Sequence, residues 1–394
     1  MEKVAKCFSS PGESTTTAAV VATTIVTTLA LASLTRFVLW PRKPQIIPGA
    51  LTTSIPRLSK EELAKATYRP DHFPGARDVV TPYGNIRVYE FGPEQGRKVL
   101  LIHGISTSCM TLSDIATPLV EKGCRVMMFD LFGRGYSDAP GDLPYDTRLF
   151  VSQILLVLAS SPLAWTGNDA FNLIGYSLGG GIAVNFAVTF PDMVESLILL
   201  SPAGLIRPEN IGRLSRLLFT SGLVPERLLA WMTKSRLRSP IDNAVSKKRP
   251  SASKALSSTE EKEDFVDVAV QEAVDSPTQE SPTPFETDVV NFVHWSLDHN
   301  EGFVPSMMST IRYAPLMEQQ QYWRLLAKRK PGTTAVLIGR DDNLVQREDY
   351  EEDALPLIGG KDNVFWRIVP GAHNFPFTHP HSALKAIYEF WGSE

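Results

Sequence analysis

Beyond residue 76 the chain alternates short apolar runs with longer stretches in which apolar residues recur every three or four positions. The runs at Val99–Ile102 (VLLI), Arg125–Phe129 (RVMMF), Phe171–Ile174 (FNLI), Leu197–Leu200 (LILL), Ala335–Ile338 (AVLI) and Val364–Val369 (VFWRIV) are continuous rather than alternating. Strands buried on both faces have this pattern. Asp114–Lys122, Leu149–Leu158, Gly180–Thr189 and Ser382–Trp391 read as helices between them, and Val79–Phe91 as a hairpin turning at Tyr83-Gly84-Asn85. The alternation predicts an α/β protein, a mostly parallel sheet with flanking helices. From Ser201 to Thr334 no such strand occurs, over a length far beyond one crossover. A mainly helical cap inserted at 203–332 is therefore expected, dividing the core into 77–202 and 333–394. Within it, 239–284 is dense in Ser, Pro and charge and reads as a disordered loop.

A different pattern opens the chain. After a tail at 1–13, no charge occurs from Ser14 to Thr35, and Ala18–Leu34 reads AAVVATTIVTTLALASL. At about 1.5 Å per residue, a helix over this run crosses the roughly 30 Å hydrocarbon layer, so 14–40 is read as a single-pass transmembrane anchor. Helical threonines hide their hydroxyls by bonding a carbonyl one turn back, and Trp40 stands where an interfacial aromatic belongs. A cleaved signal peptide with Ala30-Leu31-Ala32 at its cleavage site and a Thr-rich targeting presequence are the rival readings. Arg36, Arg42 and Lys43 after the run against Lys3 and Lys6 before it favour a cytosol-facing catalytic part. Pro41, Pro44, Pro48 and Pro56 make 41–76 a stiff, non-helical connector.

Composition narrows the class. With 43% apolar residues and 39 Lys+Arg against 43 Asp+Glu, for a net charge of −4, the chain builds a large core and is no generic nucleic-acid binder. Cys7, Cys109 and Cys124 lack the paired spacing of a disulfide scaffold or zinc site and are expected as free thiols. No His-Glu-x-x-His, Cys-x-x-Cys or dinucleotide fingerprint is present, so neither metal nor cofactor is implied. His294, Asp298 and His299 in the cap read as a solvated helix face.

The chemistry begins at Gly175-Tyr176-Ser177-Leu178-Gly179, which follows the FNLI run and leads into the small-residue stretch GGGIAVNFAV. Strand, sharp turn and helix are the context of the Gly-x-Ser-x-Gly nucleophile elbow, which marks Ser177 as a catalytic nucleophile. Gly175 and Gly179 flank the turn where a Cβ would collide. A serine hydroxyl needs a histidine base oriented by a carboxylate. Downstream, the AVLI run exits into Gly339-Arg340-Asp341-Asp342, and the VFWRIV run into Pro370-Gly371-Ala372-His373. The order Ser177, Asp342, His373 is that of the α/β-hydrolase triad.

On these motifs the chain resembles the α/β-hydrolase superfamily from Arg77 to Trp391, the cap excepted. The resemblance implies an α/β-hydrolase fold. It selects Asp342 over Asp341, since the family's acid lies three residues after the glycine in Gly-x-x-Asp-x-x-Val. It also makes His103-Gly104-Ile105-Ser106 the oxyanion loop, with the amides of Ile105 and Leu178 as donors and His103 and Gly104 as structural support. Asp130–Ser137 (DLFGRGYS) corresponds to a structural turn. Related dehalogenases and epoxide hydrolases place aspartate at the elbow, so Ser177 favours ester, thioester or amide cleavage.

The anchor, the oxyanion loop, GYSLGGG, SPAGL after the next strand and GAHNFPF resemble membrane-bound monoacylglycerol-lipase-like members. Arg207–Arg238 carries seven Lys/Arg and two Glu with apolar clusters at Ile211, Leu214, Leu217 and Leu218 and at Leu228, Leu229, Trp231 and Met232. Such a segment suits cap helices packed over the site or lying on an anionic membrane. The expected function is a membrane-anchored serine hydrolase of carboxylic esters, with small-molecule or lipid esters such as monoacylglycerols as substrates. The alternatives are a C–C bond or thioester hydrolase of a specialised metabolite, and a catalytically silent binding protein on the same fold.

Overall fold

The computed structural model describes residues 11–39, 44–167, 170–210, 212, 217–219, 224–246 and 283–392. Its centre is an eight-stranded sheet built from β1 (Ala76–Thr81), β2 (Gly84–Phe91), β3 (Lys98–Ile102), β4 (Arg125–Phe129), β5 (Phe171–Tyr176), β6 (Val194–Leu200), β7 (Thr334–Gly339) and β8 (Phe365–Val369). The strands lie in the order β8-β7-β6-β5-β3-β4-β2-β1. Neighbours from β8 to β4 are parallel, while β2 pairs antiparallel with both β4 and β1. Leu100, Leu101, Leu173, Ile174, Ile198 and Leu199 are wholly buried, as continuous apolar runs require when helices cover both faces.

The longer helices are α1 (Pro11–Leu39), α2 (Ser113–Glu121), α3 (Thr147–Ala159), α4 (Leu178–Thr189), α5 (Glu226–Ser246), α6 (Pro284–His299), α7 (Phe303–Tyr313), α8 (Gln320–Leu326), α9 (Arg347–Leu357) and α10 (Pro380–Trp391). Local signals set their ends. Asp146 caps α3 by accepting from the Leu149 amide at 3.1 Å. Thr283 and Glu286 form a reciprocal capping box on α6, with Pro284 in its first turn. In α1 the window Ala19–Arg36 is long and apolar enough to cross a membrane and is not buried, a test that a signal sequence also passes. Its threonines turn inward as expected, with Thr23, Thr24 and Thr27 hydroxyls donating to carbonyls four residues back at 2.8–2.9 Å. Trp40, and Ile211 and Leu214 of the expected cap, lie outside the described residues.

Three expectations need correction. The hairpin pairs Thr81 with Gly84, so it turns at Pro82-Tyr83, and Gly84 and Asn85 already belong to β2. The loop expected at 239–284 is helical as far as Ser246, and α6 begins at Pro284. Residues 247–282 lie outside the described residues. The connector after α1, expected to be non-helical, contains short helical turns at Ala50–Thr53, Ile55–Arg57 and Lys60–Ala64. Pro56 stands in the first turn of one of them, where its missing N–H costs nothing. Hydrogen bonds tie this lead-in to the body: the Gly49 amide donates to Asp138 Oδ1 at 2.6 Å in a buried contact, and the Ser54 hydroxyl to the His299 carbonyl at 2.7 Å in a half-buried one. Cys109 and Cys124 are buried free thiols, and Cys7 lies outside the described residues.

Candidate active site

Four parallel strands deliver the site at their C-terminal ends, where active-site loops of open α/β sheets gather. Ser177 follows β5 with φ 53° and ψ −120°, a strained conformation for a residue with a Cβ. The surroundings hold it there. Its amide donates to the Leu200 carbonyl at 3.0 Å, and its carbonyl accepts from Gly180 and Ala203 at 2.9 Å. The flanking glycines are sterically required, since a Cβ on Gly175 would lie 2.4 Å from the Gly179 carbonyl oxygen and one on Gly179 would lie 2.2 Å from that of Ile102. Both obstacles are main chain and cannot rotate away.

Asp342 lies three residues beyond β7 and His373 four beyond β8. The two loops are stitched together by the Arg340 amide on the Val369 carbonyl (2.8 Å) and the Asp341 amide on the Gly371 carbonyl (3.0 Å). His373 Nδ1 stands 2.9 Å from Asp342 Oδ2 and Nε2 stands 2.9 Å from Ser177 Oγ. Asp342, not Asp341, is the carboxylate on the imidazole. Its other oxygen accepts from the amides of Leu344 (3.0 Å) and Val345 (2.7 Å), which fixes its orientation. Ser177 and Asp342 are each 5% exposed and His373 is 0% exposed, so the arrangement sits in a low-dielectric interior.

Beyond β3, His103 plays a different part. Its Nε2 accepts from the Leu131 amide at 2.9 Å, leaving Nδ1–H to donate to the Gly104 carbonyl at 2.9 Å. Burial, reinforced by the nearby Arg134 charge, holds its imidazole down at about 3, so it is a neutral brace of the loop. The unfolded chain takes up a proton as pH falls through about 6.5, while the folded protein does not until about 3. Stability from this residue is therefore complete above that window and falls on acidification within it. In His103→Gln the thermal midpoint should depend less steeply on pH between about 6 and 4 than in the parent; equal slopes would contradict this assignment.

The turn Asp130–Ser137, which the resemblance made structural, fastens this loop through contacts that the sequence reading does not find. Arg134 is fully buried, and its Nε donates to the Ile105 carbonyl at 2.9 Å while another guanidinium nitrogen donates to Thr310 Oγ1 of α7 at 3.0 Å. Asp130, at the head of the same turn, accepts from the Cys109 amide (3.1 Å), the Tyr136 amide (2.9 Å) and the Tyr68 hydroxyl (3.1 Å). Its carboxyl is pushed up by burial, and those donors oppose the shift. Leu178 is the first residue of α4, so its amide has no acceptor within the helix. Among the described residues no group of three His, Cys, Asp or Glu could hold a metal, and the Asp298 carboxylate contacts Lys234 and Arg238.

This sheet order, elbow and acid–histidine–serine geometry define the α/β-hydrolase class of fold. The sequence profile described as alpha/beta hydrolase fold matches residues 98–380. The chain belongs to that family. It is 33% identical over 129 residues to a serine hydrolase-like protein of Danio rerio and 34% identical over 139 residues to a serine hydrolase-like protein of Homo sapiens. The matches cover 32% and 34% of this chain, and 38% and 65% of those relatives. Among solved structures, a bacterial membrane phospholipase A aligns with a TM-score of 0.56 at 18% identity, covering 94% of this chain and 97% of that one. At that identity the likeness is one of fold.

Proposed function

We propose that the protein is a serine hydrolase that cleaves carboxylic esters through an acyl-Ser177 intermediate, held at a membrane by α1 with lipid esters such as monoacylglycerols as substrates. The observation that carries the reading is the buried relay in which Ser177 Oγ, His373 and Asp342 stand 2.9 Å apart at each step. In this mechanism His373 Nε2 takes the hydroxyl proton as Ser177 Oγ adds to the ester carbonyl. Asp342 stabilises the imidazolium that forms. The negative charge on the former carbonyl oxygen is met by the amides of Ile105 and Leu178, each worth about 2.7–4 kcal/mol of barrier. His373 then protonates the departing alkoxide. With the alcohol gone, water gives a proton to His373, attacks the acyl carbonyl and releases the carboxylic acid, returning the proton to Ser177.

Two features support a lipid substrate. The apolar window Ala19–Arg36 of α1 is long enough to cross a bilayer and presents Val20, Ile25, Leu29 and Leu34 outward. On the cap, α5 exposes Trp231 (67%) and Leu228 (47%), apolar surface suited to an interface. A panel of esters with graded acyl length, assayed with the full chain in vesicles, tests this. Turnover should rise toward long acyl chains and include monoacylglycerols. Turnover of thioesters or diketones alone would replace the ester reading with the corresponding alternative chemistry.

A further inference from the structure

The first turn of α6 reaches the turn after His373 through a buried hydrogen bond, beside a ring contact between Phe285 and Phe377. Glu286, in the first turn of α6, is 0% exposed. Its Oε2 accepts from the Thr283 amide at 2.7 Å, which is the ordinary work of a capping box. Its Oε1 accepts from Asn374 Nδ2 at 3.1 Å, a core residue 88 positions away. Asn374 is itself 0% exposed and directly follows His373. The carbonyl of Asn374 accepts from the Phe377 and Thr378 amides, both at 3.1 Å, so this residue opens the turn after the histidine.

We propose that Asn374, held by the cap residue Glu286, is a positioning residue for His373, making the first turn of α6 part of the catalytic apparatus. The inference rests on the serine-hydrolase reading above. A helix cap needs only one of the carboxylate oxygens, and a second hydrogen bond to the side chain next to the base does nothing for the helix. His373 must meet Asp342 and Ser177 at 2.9 Å on opposite sides of its ring, leaving little freedom for the turn that carries it. A misplacement of about 1 Å costs on the order of 100-fold in such a relay. A charge-assisted hydrogen bond between buried partners is a fitting restraint against it.

The test is the rate of covalent modification of the full chain by a fluorophosphonate, resolved into reagent affinity and the first-order step. This needs Ser177 and His373 but no knowledge of the substrate. Asn374→Ala and Glu286→Ala should each slow the first-order step about tenfold with affinity unchanged, the loss expected for one such bond expressed in the barrier. Combining them should add less than about twofold, because each removes the same contact. Glu286→Gln keeps an acceptor for Asn374 and should restore most of the rate. Thr283→Val removes the hydroxyl that accepts from the Glu286 amide but leaves the Thr283 amide on Oε2 and Asn374 on Oε1, and should lower the melting temperature without changing the first-order step. The proposal is overturned if Asn374→Ala reacts at the parent rate, if the two losses multiply, or if Thr283→Val slows the step as much as Glu286→Ala. A parent protein that does not react at all would instead overturn the nucleophile assignment, and this inference with it.

Discussion

Replacing Ser177 by alanine should lower kcat by roughly 10⁶-fold, the scale of losing the nucleophile of a cooperative triad. Little else changes. The strained elbow persists, because Gly175 and Gly179 and the bonds on the Ser177 main chain remain, and alanine has a Cβ in the same place. Only the 2.9 Å contact with His373 is lost. Initial ester-hydrolysis rates and a melting curve on the same preparation check this. A folded variant retaining a tenth of the parent rate would show that another group performs the chemistry.

The second largest effect belongs to Asp342→Asn, expected to cost about 10⁴ in kcat. In that variant the side-chain oxygen would still accept from the Leu344 and Val345 amides, which places the amide NH2 where Oδ2 now faces His373. The imidazole would then accept at Nδ1 and carry its proton on Nε2. A protonated Nε2 faces Ser177 Oγ as a donor and cannot take its proton. The loss should therefore appear in kcat with KM nearly unchanged, which steady-state kinetics on a soluble short-chain ester would read. A comparable loss in Asp341→Asn with Asp342→Asn active would reverse the choice between the two acids.

The parts of this protein legible in its sequence are those where chemistry and local chain geometry coincide. Ser177 and His373 can be named because each follows an apolar strand within a few residues and the elbow glycines mark a tight turn, whereas strand position leaves Asp341 and Asp342 equal and the choice of Asp342 comes from the resemblance to the family. The strands are equally plain, since burial on both faces leaves uninterrupted apolar runs such as Leu100–Leu101 and Leu197–Leu200. What escaped depends on contacts between distant segments. Arg134 meets Thr310 and Glu286 meets Asn374 across separations of 176 and 88 residues, and no spacing rule joins them. Composition also misled at the edges. Ser239–Ser246 contains Ser, Pro and Asn and reads as loop, yet it continues α5, whose first turns are fixed by the buried Leu229, Thr233 and Leu237. Tyr83-Gly84-Asn85 has turn chemistry, but Gly84, at φ 105°, is the first residue of the returning strand.

The most direct measurement is covalent labelling of the full-length protein with a fluorophosphonate, followed by mass-spectrometric location of the adduct. One phosphonyl group on the peptide carrying Ser177, absent from Ser177→Ala, is the result predicted. An adduct on a different residue, or equal labelling of Ser177→Ala, would contradict the assignment of Ser177 as the nucleophile.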